Sequence, residues 1–389
     1  MKVNTVRFID KYIGPICLAI CRFHMKLKLW FSQSPPHDMP GKILVIKFWG
    51  IGNIIECSPA LKALREVFPY QHITFVTLNS NKGVYEKNNL YDTILYLDIG
   101  NPIRFVLSLY SLIDRIREIK YDILIDLEPL THFTPLVSYM SGCKIRWGFK
   151  SGNTSFSGLY TNSVYFNQKQ HISQSFMDMV KALGYEGEDI SLEYPRSNDS
   201  TKSEIEDLLD SLGIKQGKMI VGINPNASDV AVERRWPSER FAEIADFLVE
   251  EYDAVCIYIG SSGEAGGVEN TIKMMKNPAI STAGKTTLPE LIALIARFDI
   301  FITNDSGPLH LAMALNVPTL SFFGPESPLV YGPRESIHRV LYKGGDCSPC
   351  ISFSNAKQVS CRKNAECIKS ISVEDAKNTL KMMVKEIKS

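Results

Sequence analysis

The strongest constraint on this chain is a rhythm. Short apolar runs rich in β-branched residues alternate with segments whose apolar positions recur at helical spacing. The alternation occurs twice. In the first series "KILVIKF", "HITFVT", "TILYL" and "DILIDL" read as strands, with "IIECSPALKALREVF" and "IRFVLSLYSLIDRIREI" as helices. In the second, "MIVGINP", "AVCIYIG", "DIFITN" and "VPTLSFF" read as strands, separated by "PSERFAEIADFLVEEY", "TLPELIALIARF" and "LHLAMAL". Strand and helix in turn predict an α/β class, with parallel sheets and right-handed crossovers. Between Lys150 and Ser203 polar and turn residues dominate and the rhythm is lost. Two α/β halves joined by an irregular stretch predict two facing Rossmann-like domains, over residues 41–200 and 201–389. A ligand is then expected in the cleft between the carboxyl ends of both sheets. The second half ends in a cysteine-containing tail and a helix, "SVEDAKNTLKMMVKEI", opened by a serine cap and an acidic first turn.

A length of 389 residues is too great for one compact core and agrees with two domains. The formal net charge of +1 supplies no large basic field, so nucleic acid is not an expected partner. Local charge differs. Residues 1–40 form a separate segment whose first 28 residues carry Lys2, Arg7, Lys11, Arg22, Lys26 and Lys28 against Asp10. Its longest uncharged stretch, Tyr12 to Cys21, is interrupted by Gly14-Pro15 and is about half the length a spanning helix needs. No small-residue cleavage site follows, so a removable signal peptide is not expected. Two readings stay open: a basic amphipathic segment lying on the cytoplasmic face of a membrane, or an extra helix packed on the body of the protein.

Four of the nine cysteines cluster as Cys347, Cys350, Cys361 and Cys367, starting with "CSPC". A Cys₄ zinc site, a disulfide and free thiols are all compatible with that spacing. No cofactor is expected, with structural zinc at these four as the alternative.

The chemistry concentrates where strands hand over to helices. In 304-NDSGPLH-310, a helix starting near Gly307 offers free amides to a phosphate, and Pro308 has no amide to waste there. Ser306 adds a hydroxyl donor. Asp305 is unsuited to phosphate and suited to sugar hydroxyls, and His310 lies one turn beyond Ser306. The plainer alternative is that Asp305 or Ser306 only caps the helix. In 233-ERRWPSERF-241, Arg234 and Arg235 precede a proline-initiated helix and suit an anion, or are a solvated pair. Glu264, after the strand "AVCIYIG", suits a ribose diol. In 50-GIGNIIECSPAL-61, Gly52 belongs to a tight turn, and Asn53, Glu56 and Ser58 lie near the start of the helix on the acceptor side. This stretch lacks the third glycine of a dinucleotide fingerprint, which disfavours a dehydrogenase.

"ILVIKFWGIGNIIECSPALKALREVFP" resembles the opening of glycosyltransferase family 9, the ADP-heptose:lipopolysaccharide heptosyltransferases. "NPNASDVAVERRWPSERFAEIADFL" and "ITNDSGPLHLAMALNVPTLSFFGPESPLVYGP" are similar to that family's donor-binding half. The resemblance spans roughly residues 42–385 and implies a GT-B fold. It also implies an inverting, metal-independent transfer of a sugar, heptose by the family's habit, from an ADP-sugar to a lipopolysaccharide-core or related lipid-linked glycan. The expected location is cytoplasmic, at the inner-membrane face. By resemblance the phosphate-binding cation is Arg234 or Arg235, the ribose acid is Glu264, and the sugar-phosphate motif is Asp305, Ser306, Gly307 and His310. One position departs. Where the family carries an aspartate as general base, this chain has Asn53, and a carboxamide does not accept that proton. Glu56 takes the role, or Asp126 or Glu128 does, or the protein binds sugar nucleotides with little transfer. A UDP- or GDP-sugar donor on the same fold is the other alternative.

Overall fold

The computed structural model describes residues 10–29, 40–85, 88–152, 157–214, 217–352, 359 and 361–388, without the side chains of 26–29. Expectations resting on Lys2 and Arg7, the proline-rich stretch 32–39 and the Lys26 and Lys28 side chains lie outside the described residues. The chain divides into two compact units. The first runs to Ser191, apart from a short segment beginning at Gly83 that groups with the second, and the second begins at Leu192.

The first unit is built on six parallel strands: β1 (Lys42–Ile46), β2 (His72–Leu78), β3 (Thr93–Leu97), β4 (Ile123–Asp126), β5 (Ile145–Lys150) and β6 (Asn162–Tyr165). Their spatial order is β3-β2-β1-β4-β5-β6. The second has β7 (Ile220–Asn224), β8 (Val255–Tyr258), β9 (Ile280–Ser281), β10 (Ile300–Asn304), β11 (Thr319–Phe323) and β12 (Arg339–Tyr342), ordered β12-β11-β10-β7-β8-β9. Counted from its own first strand, the second sheet repeats the order of the first. Each is a doubly wound Rossmann-like sheet whose strand order reverses between its first and fourth strands. The chain is of the α/β class and its fold is GT-B.

The central strands β7, β10 and β11 are buried at every residue, because helices cover both faces of a parallel sheet. That is why they read as unbroken apolar runs. In the first unit Ile46, Phe48, Val76, Leu97 and Leu124 pack against Leu112 and Ile116 of helix Pro102–Ile119. In the second, Trp236 stacks on Phe322 at 4.1 Å between ring centroids and meets Phe241 edge-on. The helix Val373–Lys388 closes this core with Ala376, Leu380 and Met383. Its start is capped by Ser372, whose hydroxyl accepts from the Asp375 amide.

The irregular stretch holds more structure than its composition predicts. It contains β6, helix Ile172–Lys181 and the start of helix Asp199–Ser211. β6 is a half-exposed edge strand of four residues, too short and polar to register as a pattern. The helix predicted over "IIECSPALKALREVF" is two, Ile51–Glu56 and Ser58–Val67, meeting at Cys57. The N-terminal segment forms helix Gly14–Leu29, which packs on helix Phe133–Met140 of the first unit. Gly14 lies so close to His132 that a Cβ there would come within 2.5 Å of its side chain. Among the described residues no helix is long and apolar enough to cross a membrane.

Candidate active site

In the second unit the order reverses between β7 and β10, and their carboxyl ends carry Asn224 and Asn304. Asn224 Nδ2 donates to Thr303 Oγ1 at 3.2 Å and to Ser306 Oγ at 3.0 Å. Asn304 ties the neighbouring loops, accepting from the Trp236 amide at 2.9 Å and donating to the Pro225 carbonyl at 2.9 Å. These two amides hold both crossovers in register with the sheet edge. Ser306 stands at the N-cap position of helix Gly307–Ala314 in extended conformation, yet no side chain caps that helix. Its hydroxyl is engaged with Thr303 and Asn224; Pro308 has no amide and the Leu309 amide donates to the Ser306 carbonyl at 3.2 Å, so the Gly307 amide is the first-turn donor left for another acceptor.

Arg234 and Asp305 meet in this place, Nη1 to Oδ2 at 3.2 Å, both largely buried. The Arg234 Nε is buried with no hydrogen-bond partner, a guanidinium donor not matched by protein. Arg235 points elsewhere. Its guanidinium donates to the Ala227 carbonyl and to Asp229 at 2.6 Å, bracing its own loop. Glu264 accepts from the amide and hydroxyl of Ser261 at 2.8 and 2.7 Å, closing the turn that opens helix Ala265–Ile272. His310 is buried one turn into its helix, edge-on to Tyr331.

The first unit reverses order between β1 and β4. Beyond β1 the chain turns at Gly50, whose φ of 80° suits glycine. Lys47 and Glu128 hold this turn. They pair at 2.7 Å with both side chains buried, and Glu128 also accepts the amides of Phe48 at 3.0 Å and Trp49 at 3.2 Å. Gly52 is buried in helix Ile51–Glu56 and Ser58 donates to the Ile55 carbonyl at 2.6 Å. The Asn53 Oδ1 is buried without a partner. Glu56 is wholly buried, accepts from the Ser173 hydroxyl and lies 3.9 Å from His171 Nδ1. Asp126, also wholly buried, accepts from the Tyr160 hydroxyl at 2.6 Å and the Glu128 amide at 2.9 Å. Burial pushes the Asp126 carboxyl up to about 7 and the Tyr160 hydroxyl well above its ordinary value. The three carboxylates considered as the base are therefore all internal, each with a protein partner.

The cysteine cluster is real in space. Burial raises the Cys350 thiol, and the charges of Cys367, Cys347 and Cys361 add to the rise. All nine cysteines are free, and among the described residues no set of three His, Cys, Asp or Glu side chains is arranged for a metal ion.

Residues 109–359 match the profile of glycosyltransferase family 9 (heptosyltransferase), over more than half of the chain. The chain belongs to that family. It is a family 9 glycosyltransferase. A lipopolysaccharide heptosyltransferase 1 of Campylobacter coli is 23% identical over 86% of this chain and 96% of its own length. A lipooligosaccharide heptosyltransferase 2 of Campylobacter jejuni is 30% identical over 43% of this chain, which spans about half (53%) of that relative. Among solved structures, a family 9 glycosyltransferase of Veillonella parvula superposes with a TM-score of 0.75 at 25% identity, covering 89% of this chain and 97% of its own. An Escherichia coli heptosyltransferase solved with ADP superposes at 0.63 and 15% identity, covering 88% and 99%.

Asn224 and Asn304 are the organising residues that sequence reasoning passed over. The signal was an asparagine closing each of two apolar runs, "GIN" and "ITN", where a strand interior has no use for an amide.

Proposed function

We propose that this family 9 enzyme is an inverting transferase that moves a sugar, a heptose, from an ADP-sugar to a lipopolysaccharide-core or related lipid-linked glycan. The observation carrying this reading is Arg234 buried against Asp305 beside an uncapped helix N-terminus. The guanidinium and the Gly307 amide at the start of the helix receive the diphosphate, and Asp305 receives sugar hydroxyls. Positive charge from these groups offsets the charge that grows on the leaving diphosphate, the role a metal ion fills in other transferases, so the reaction is read as metal-independent. Glu264 holds the ribose and His310 supports the phosphate site. Arg235 braces the loop that carries Arg234. In the first unit, the turn at Gly50–Gly52 with Asn53 and Ser58 forms the acceptor side, and Glu56 is the proton acceptor in place of the missing aspartate. The place of work is the cytoplasmic face of the inner membrane, with residues 1–40 as the basic anchor and no nucleic acid as partner.

The experiment is calorimetric titration with ADP, UDP and GDP in parallel, without added metal, followed by transfer assays with the preferred donor class. Preference for ADP and release of ADP on adding acceptor support the reading. Preference for UDP or GDP overturns the donor. Binding without turnover favours a sugar-nucleotide binding protein, the reading that Asn53 motivates.

A further inference from the structure

Two helices of the first unit carry apolar faces that the fold leaves uncovered. On helix Gly14–Leu29 and the turn before it, Tyr12, Ile13, Ile16, Ile20 and Phe23 are 50% to 68% exposed. Their spacing of three, four and three residues from Ile13 onward is one helical stripe. On helix Pro102–Ile119, Ile103, Val106, Leu107 and Tyr110 are 61% to 74% exposed and again fall on one face. Core packing by this helix rests on Leu112, Ile113 and Ile116, all past its midpoint. In its first turns Phe105 and Leu109 pack on that core, while Ile103, Val106, Leu107 and Tyr110 face water.

The two stripes start from one place. Phe105 packs on Phe133 at 5.7 Å between ring centroids. Asp10, just ahead of the N-terminal helix, accepts the backbone amides of His132 at 3.0 Å and Phe133 at 2.8 Å. The dipeptide His132-Phe133 thus joins the beginnings of both helices. The charge at the two starts is positive, and the exposed Asp114 comes one turn beyond Tyr110 at the far end of the second stripe. Lys11 and Arg104 are exposed at these starts, and Asp10, the single acid among the first 28 residues, is used up as a cap for helix Phe133–Met140.

We infer that the exposed face of helix Pro102–Ile119 joins the N-terminal helix as a two-helix platform that lies on an anionic lipid surface. This deepens, and rests on, the reading of the chain as a transferase working on a lipid-linked glycan. Four large apolar side chains reach into the headgroup boundary while flanking cations meet lipid phosphates. A single amphipathic helix binds reversibly, and a second rigidly joined to it adds apolar area without further ordering cost.

The test uses the full chain and co-sedimentation with vesicles of phosphatidylethanolamine and phosphatidylglycerol, against vesicles of phosphatidylcholine alone. The variants are Val106→Ser/Leu107→Ser/Tyr110→Ser and, separately, Ile16→Ser/Ile20→Ser. Each is expected to lower partitioning onto the anionic vesicles by about tenfold or more while thermal melts stay unchanged, because the replaced side chains are exposed. Tyr110→Glu alone gives the same direction should the triple variant melt early. Parent-like partitioning of both Val106→Ser/Leu107→Ser/Tyr110→Ser and Tyr110→Glu overturns the platform, as does equal binding of the parent to both vesicle types. A parent that sediments as a dimer without lipid, with the triple variant monomeric, also overturns it by showing a second copy as the occupant. Vesicle binding is read without donor or acceptor, so its failure is distinct from absence of transfer, which tests the enzymatic reading.

Discussion

Arg234 and Asp305 stand 71 residues apart in sequence and 3.2 Å apart in space, a cation and an anion drawn to one point by two crossovers of the same sheet. The pair fixes the guanidinium beside the carboxyl ends of β7 and β10. It also separates two adjacent arginines into different tasks, since Arg235 is spent on Ala227 and Asp229.

That separation predicts unequal losses. Arg234→Ala is expected to weaken ADP binding by about 10- to 100-fold, the worth of charge-assisted hydrogen bonds to phosphate. Arg235→Ala should cost less than about threefold, because its ion pair with Asp229 is largely exposed. Calorimetry on both variants decides it. Equal losses would mean that the loop moves as a unit and that Arg234 has no special place.

Glu56→Gln keeps the shape of the side chain and removes its charge. If Glu56 accepts the proton, kcat falls by at least about 100-fold with the donor KM little changed, and the acidic limb of the pH–rate profile disappears. Adding Asn53→Asp to that variant should restore part of the rate, since it supplies a carboxylate one helical turn away. A merely structural Glu56 would instead lower Tm and leave kcat near the parent's.

Asp126 makes stability depend on pH. Its carboxyl titrates at about 7 when folded, against an ordinary 3.8. Between those values the folded protein holds the extra proton, so stability is greatest below about pH 4 for this group and declines as pH rises to about 7. The full effect is on the order of 4 kcal/mol. Urea unfolding from pH 5 to pH 8 should show this decline in the parent, and Asp126→Asn should flatten it. A parallel decline in both proteins would assign the pH dependence to other groups.

The Lys47–Glu128 pair has no water to fall back on. Lys47→Met leaves a buried carboxylate with only the Phe48 and Trp49 amides, and is expected to cost about 3–5 kcal/mol. Glu128→Gln should cost a similar amount by stranding the ammonium. The double variant should be less destabilised than the sum of the singles by at least about 1 kcal/mol, as a double-mutant cycle in urea would measure. Additive costs would show that the two side chains act independently on the Gly50 turn.

The parts of this protein that were legible in its sequence are those carried by local periodicity. Parallel strands buried on both faces must be apolar at nearly every residue, so "KILVI", "IVGIN" and "IFITN" announce themselves. Crossover geometry then brings the ends of such strands to one sheet edge, which is why Asp305, Ser306 and Arg234 could be expected to gather there. β6 was not legible, because an edge strand of four residues with both faces half wet leaves no pattern.

The sequence by itself determined the α/β class, the two-unit division and the family. Each of these depends on residues close together in the chain. Tertiary structure alone decided which partner each polar group takes: Arg234 to Asp305 and Arg235 to its own loop, Ser306 to Asn224 rather than to its helix, Glu128 to Lys47, and Glu56 buried under Ser173. These pairings join residues up to 117 positions apart. A buried polar group must be satisfied by whatever the fold places beside it, and no local rule of spacing says what that will be.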